Sequence, residues 1–379
     1  MKVTDIIPLG TMKIIMLGES LARQGGIVSV EKLILQEAPP NIEIKHISTL
    51  VNGSVLDKIL GFGRAIVEFL WTLLRTQSDL IHIHVSQGGS VFRKAILTLI
   101  ALMFRKPIIL HAHGPEFHLF YSKLPQILKL GFRWVFCRSD RFIVLSESWK
   151  NFYIHNVGLK AEQIVVLPNP VKLPAQIPHR ASSPQVSFVF LGRIGQRKGT
   201  FDLIRAFACL PAEYKSRSRL ILAGDGDVTQ AENLIASLSL SNYITVFDWL
   251  NSEQRDALLA SSDVFVLPSY NEGLPMSLLE AMSWSLPSIT TPVGGIPELV
   301  TPTKNGLLVN PGNLQQLSAA MQSLIDSENL RLELGSNARK SVAPFDVKNY
   351  FNHLVVIYCS VQGLKEHDYI NTVKYSDPK

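Results

Sequence analysis

The sequence predicts an α/β protein of two domains, each a doubly wound parallel sheet, and three observations carry that prediction. Short apolar runs alternate with longer amphipathic stretches along most of the chain, the pattern of repeated βα units. The alternation breaks over residues 168–184, where Pro168, Pro170, Pro174, Pro178 and Pro184 interrupt any periodicity, and then restarts. A chain of 379 residues exceeds one ordinary open sheet and suits two domains of under ~200 residues each.

The run from Met12 through Ile14, Ile15 and Leu17 to Gly18 reads as a buried first strand, and residues 1–11 before it as either a loose extension or an artefact of start-site choice. In the first half the expected strands are 12–17, 42–46, 80–85, 107–111, 141–145 and 163–167. Between them helical spacing predicts helices at 27–36, 56–75, 91–104, 124–138 and 148–156. After the proline-rich linker the expected strands are 186–191, 219–223, 243–247, 264–267, 288–290 and 306–308. Their helices are expected at 200–209, 230–238, 252–261, 276–284, 314–325 and 330–340. A final amphipathic helix, 347–362, precedes a polar tail expected to be mobile. The domains are therefore expected at 1–175 and 176–345, with 346–379 holding the last helix and tail. Open α/β sheets bind ligands off the carboxyl ends of their strands, so two facing domains would share a ligand in the cleft.

Composition narrows the function. The longest apolar run, 95–104, is half of the roughly 20 residues a membrane-spanning helix needs. With Asp5 and Pro8 near its start the chain lacks a secretory layout, and Cys137, Cys209 and Cys359 share no ligand spacing, so free thiols and a cytoplasmic location are expected. Residues 1–175 carry 20 Lys and Arg against 12 Asp and Glu, a net +8, whereas 176–379 carry a net −2. A basic half fits either an anionic partner or a solvated basic face. Arg93, Lys94, Arg105 and Lys106 bracket the apolar run 95–104. That stretch is expected either to rest on an anionic membrane in peripheral contact or to be a core-packed helix with solvated ends. No basic run with interleaved aromatics appears, so no nucleic acid partner is expected.

The most informative segment runs from Pro268 to Glu280, after a buried strand and into a helix. With Pro275 in the first helical turn, the N–H groups of Met276 and Ser277, next to Leu274, form a phosphate site made of backbone. Glu272 and Glu280 are placed to grip different parts of one elongated ligand, such as a hexose and a ribose. The loop from Gly192 to Gly199 ends the second domain's first strand, with Arg193 and Lys198 in reach of a diphosphate. Gly224-Asp225-Gly226-Asp227 closes another strand at that edge and reads equally well as a structural turn. In the first domain Gly25 and Gly26 open a helix where backbone N–H groups can approach a phosphate, outside any G-x-G-x-x-G fingerprint. His82, His84, His111 and His113 sit at neighbouring strand ends, where polar edge residues are the expectation over a metal site.

Together these segments resemble the family-4 retaining glycosyltransferases of the GT-B fold over residues 12–362. The resemblance is most specific in Glu272 and Glu280 within Pro-Ser-x-x-Glu-Gly-Leu-Pro-x-x-Leu-Leu-Glu-Ala-Met, then in Gly192 to Gly199 and in Gly294-Gly295-Ile296-Pro297-Glu298-Leu299. It implies two facing Rossmann-like domains with the last helix crossing back to the first. It implies a nucleotide-sugar donor as substrate, a glycan or lipid-linked acceptor, and no cofactor or metal. Glu272 would bind donor-sugar hydroxyls and Glu280 the ribose. Arg193 and Lys198 would neutralise the diphosphate, with Gly26, Met276 and Ser277 adding amides and His113 lining the donor-sugar pocket. Catalysis is thereby expected of His113, Arg193, Lys198 and Glu272. Donor binding is expected of Gly25, Gly26, Leu274, Met276, Ser277 and Glu280, shared with Arg193, Lys198 and Glu272. The chain departs from the family at Asn169-Pro170-Val171 in the linker, where lower hinge flexibility is expected, and at Asp248-Trp249, in a loop near the base in relatives, so base preference does not carry over.

The implied reaction is metal-independent hexosyl transfer with retention, in polysaccharide, lipopolysaccharide or glycolipid assembly. A nucleotide-sugar 2-epimerase of similar architecture would need titratable groups flanking C2 of the sugar, which the paired glutamates do not supply. A catalytically silent sugar-nucleotide-binding partner would not need the full set of His113, Arg193, Lys198, Glu272 and Glu280.

Overall fold

The computed structural model describes residues 11–178 and 185–362. Expectations for residues 1–10, for Pro184 and for the polar tail lie outside the described residues. The chain divides into unit 1, up to Asn169 and again from Val347, and unit 2, Pro170–Asp346. The first boundary precedes the expected residue 175 because Val171 donates its N–H to the Phe345 carbonyl and bridges Asp346, both in unit 2.

Unit 1 holds β1 (Met12–Gly18), β2 (Ile42–Ser48), β3 (Leu80–Val85), β4 (Ile108–Ala112), β5 (Arg141–Val144) and β6 (Ile164–Val166). Its sheet is parallel, in the order β2-β1-β3-β4-β5-β6. Unit 2 holds β7 (Val186–Leu191), β8 (Ser218–Ala223), β9 (Ile244–Phe247), β10 (Val264–Leu267), β11 (Ser288–Thr290) and β12 (Gly306–Leu308). Its sheet, also parallel, runs β12-β11-β10-β7-β8-β9. β3, β4, β7 and β10 are buried at every position, as parallel strands covered by helices on both faces must be. Each sheet reverses its winding once, between β1 and β3 and between β7 and β10. Loops at the carboxyl ends of those strands are where an α/β sheet opens a ligand site.

The longer helices start where local chemistry allows. Ser54 and Asp57 form a capping box for Val55–Arg75, and Asn251 and Gln254 one for Ser252–Ala260. The short helices Phe117–Ser122, Ala212–Ser216 and Ile296–Leu299 were not expected, being too brief to show a period. The final helix, Val347–Val361, belongs to unit 1 as the crossover predicted. Its buried Tyr358 hydroxyl meets His82 Nδ1 at 2.9 Å, and beyond it Gln362 Nε2 donates to the Asp79 carbonyl.

Two expectations fail here. The strand-end histidines are not polar edge residues: His82, His84, His111 and His113 are all buried. Parallel register sets His84 beside His111 on one face of the sheet. Nor is the basic collar of the apolar run 95–104 fully solvated, although Arg105 is exposed. Within the helix Gly89–Met103, Lys94 is buried, and its Nζ donates to Leu17 O at 2.7 Å and Thr49 Oγ1 at 2.6 Å. Burial pushes that ammonium down to about 7. Lys106 is likewise spent on the Ser78 carbonyl.

Candidate functional site

The loops leaving β7 and β10 meet at the winding reversal of unit 2. Gly199 closes the first with a φ of 68°, in the left-handed region that favours glycine. A side chain there would overlap the Pro268 carbonyl oxygen of the second loop. Tyr270 N–H donates to Arg197 O at 2.8 Å, and Arg197 Nη1 to Asn271 O at 3.0 Å, so the loops are bonded by backbone as well as by side chain.

At their junction Lys198 Nζ lies 2.6 Å from Glu272 Oε1, which also accepts from Ser269 Oγ at 2.7 Å. Glu272 is buried, and Arg197 stands 3.9 Å from its other oxygen. Burial lowers the Lys198 ammonium, while Glu272 beside it favours the charged form and resists that shift. The segment that carries Glu272 is braced from outside. Tyr270 hydroxyl donates to Asp202, Thr291 hydroxyl donates to Ser269 O, and Gly295 N–H donates to Gly273 O. The Gly294-Gly295 pair thus supports the loop, and a side chain at Gly294 would overlap the Glu272 carbonyl oxygen.

Pro275 is the residue just before the helix Met276–Ser283 rather than within its first turn. Among the described residues the Met276 and Ser277 N–H groups have no acceptor, as first-turn amides do not. They leave the positive end of the helix dipole open beside Glu272. Leu274 is buried in the same turn. Glu280, two turns in, pairs with Arg255 Nη1 at 2.7 Å. Burial raises the Glu280 carboxyl, and Arg255 opposes that rise. Arg193 reaches across to Asp225, with Nη2 2.8 Å from Oδ2, and that bond raises its guanidinium. The Gly-Asp turn therefore holds the Arg193 guanidinium as well as closing a strand.

Lys198, Glu272, Leu274 and the two free amides are thus brought together, with Arg193 and Glu280 in the flanking loop and helix. In unit 1, Gly25 (φ 145°) is the N-cap of the helix Gly26–Gln36, at the winding reversal of that sheet. His113 follows β4, donates its N–H to Val85 O and meets His84 Nδ1 through Nε2 at 2.9 Å. Burial lowers His113 to about 3, and burial, with the competing ring of His113 nearby, lowers His82 to about 3, so both rings are neutral at pH 7. Ring nitrogens of His82, His84 and His111 lie within 4.8 Å of one another, a set able to hold a metal ion. His82 Nε2 and His111 Nδ1 instead meet each other at 3.3 Å, while Nε2 of His84 and of His111 have no partner.

Sequence reasoning missed Arg255, Arg197 and Tyr358. Arg255 left one signal: a cation near the start of a helix works against the dipole unless a carboxylate holds it.

Two family models match the chain. The one described as Glycosyltransferase Family 4 matches residues 14–173, and Glycosyl transferases group 1 matches 176–341. The chain is 26% identical to an uncharacterized glycosyltransferase of Methanocaldococcus jannaschii, over 64% of this chain and 65% of that one. It is 26% identical to the UDP-Gal:alpha-D-GlcNAc-diphosphoundecaprenol alpha-1,3-galactosyltransferase of Escherichia coli, over 76% and 77%. In structure it is similar to Anabaena HepE in complex with UDP, with TM-score 0.74 at 19% identity over 92% of this chain and 100% of that one. At that identity the likeness speaks for the fold.

Proposed function

Because this chain belongs to the group 1, family 4 glycosyltransferases, we propose that it transfers a hexose, with retention and without a metal, from a nucleoside diphosphate sugar to a glycan or lipid-linked acceptor. The setting is polysaccharide, lipopolysaccharide or glycolipid assembly, with the chain in peripheral contact with an anionic membrane. One observation carries the reading: a buried glutamate paired with a half-buried lysine beside free helix-start amides, at the winding reversal of unit 2. Lys198, Arg193 and the Met276 and Ser277 amides receive the diphosphate, Glu272 the sugar hydroxyls and Glu280 the ribose. A relative named as using UDP-Gal and a fold neighbour holding UDP support a nucleotide donor. The role of His113 at the donor sugar rests on the family resemblance alone.

In the reaction the bond from the anomeric carbon to the diphosphate oxygen breaks. The acceptor oxygen bonds to that carbon on the same face, and its proton passes to the leaving phosphate. Cations and amides aimed at the developing charge supply the rate, each donor worth about 3 kcal/mol.

The test is proton NMR of the product formed in excess EDTA. An anomeric coupling that matches the donor's supports the reading. Inversion overturns retention, and loss of turnover restored by Mg²⁺ or Mn²⁺ overturns metal independence.

A further inference from the structure

The outer surface of unit 1 carries apolar side chains that its core does not use. The helices Val55–Arg75, Gly89–Met103 and Gln126–Phe136 link β2 to β3, β3 to β4 and β4 to β5, all stepping the same way along the sheet. Right-handed crossovers in one direction put all three on one face. They pack as neighbours, and the rings of Phe92 and Phe132 meet edge to face at 5.0 Å between the second and third.

Each exposes an apolar stripe at helical spacing. The first shows Ile59, Val67, Trp71 and Leu74, with Val55 and Leu56 at its start. The second shows Phe92, Ile96, Leu99 and Met103, the last 80% exposed. The third shows Ile127 at 78% exposure, Leu130 and Trp134. A soluble surface seldom gathers so many large apolar side chains on adjacent elements.

Cations frame these stripes. Lys58, Arg64 and Arg75 are exposed on the first helix, and Lys123, Arg133 and Arg138 are exposed on or beside the third, which also carries Lys129. No acidic residue occurs from 117 to 139. The Arg138 guanidinium stacks on Trp134 at 3.5 Å, and Lys45 and Arg75 flank Trp71. Tryptophan with basic neighbours on an apolar face is the composition of a bilayer interface. A pocket of about 400 Å³ beside the third helix, with Lys129, Arg133, His118 and Asn156 in its wall, has room and charge for a phosphate headgroup.

We propose that this three-helix face of unit 1 is the surface by which the protein rests on an anionic bilayer. The inference deepens the membrane contact in the reading above and moves it from the ends of the 95–104 run, where Lys94 is buried, to the helices on either side. A second copy of the chain fits the face less well, because a two-fold contact would oppose the same cations to themselves.

The experiment is co-sedimentation of the full chain with vesicles of phosphatidylcholine alone or mixed with phosphatidylglycerol, across a salt series. Binding should require phosphatidylglycerol and fall with salt. Each basic residue near such a surface is worth about fivefold, so Lys123→Gln, Lys129→Gln and Arg133→Gln together should weaken partition about 100-fold. Ile127→Ser with Leu130→Ser should weaken it at every salt concentration, with the unfolding temperature unchanged. Equal binding to neutral vesicles, or none to anionic ones at low salt, overturns the proposal. So does a concentration-dependent dimer in sedimentation velocity that the same substitutions abolish. Donor binding measured on the same preparation is a separate readout, so failure on vesicles leaves the donor site standing.

Discussion

Glu272 has little freedom, because one oxygen serves Lys198 and Ser269 and the other faces Arg197. Glu272→Ala would strand the Lys198 ammonium in nearly buried surroundings. Breaking a buried pair from one side costs about 3 kcal/mol or more, so the variant should unfold earlier as well as lose transfer. Free nucleoside diphosphate should still bind it, since the lost partner is the sugar. Glu280→Ala should instead weaken that nucleotide roughly tenfold or more, the worth of a hydrogen bond to a charged group. Titration calorimetry of both variants decides the assignment, and wild-type affinity in both would refute it. Glu272 and Lys198 were legible in sequence because each sits in a loop whose glycines and proline mark a special backbone. Arg255 was not, because Glu280, the site carboxylate it holds, lies on another helix.

β3 and β4 teach the same lesson at the scale of elements. Alternation placed His82 with His84 and His111 with His113, yet a partner of His82 comes from a helix far along the chain. Tyr358, which meets His82, lies 276 residues away, a separation no local pattern reveals. The consequence is a pH dependence whose sign follows from burial. Folded His82 and His113 are lowered to about 3, against about 6.5 when unfolded. Below pH 6.5 the unfolded chain takes up protons that the folded chain refuses. Stability is therefore complete above about 6.5 and drains away as pH falls toward 3. At pH 5 each ring should cost about 2 kcal/mol relative to pH 8. Urea unfolding of wild type and of His82→Gln at the two pH values should show the smaller loss in the variant, and equal losses would mean His82 is not the group responding.

At the largest scale, the two-sheet plan was the most legible feature, since twelve short apolar runs correspond to the twelve strands among the described residues within a residue or two. The strand order was not legible, and it is what gives the site its place: β7 and β10 are neighbours although two strands separate them in sequence. That adjacency sets Lys198 against Glu272, and the central claim is that a nucleoside diphosphate sugar binds there. Thermal unfolding of wild type and Lys198→Ala, with a panel of such sugars in EDTA, tests it most directly. At 100 times its dissociation constant the correct donor should stabilise wild type by about 2.7 kcal/mol. Lys198→Ala should lose most of that gain. No stabilisation by any nucleotide sugar, or an equal gain in the variant, would contradict the account.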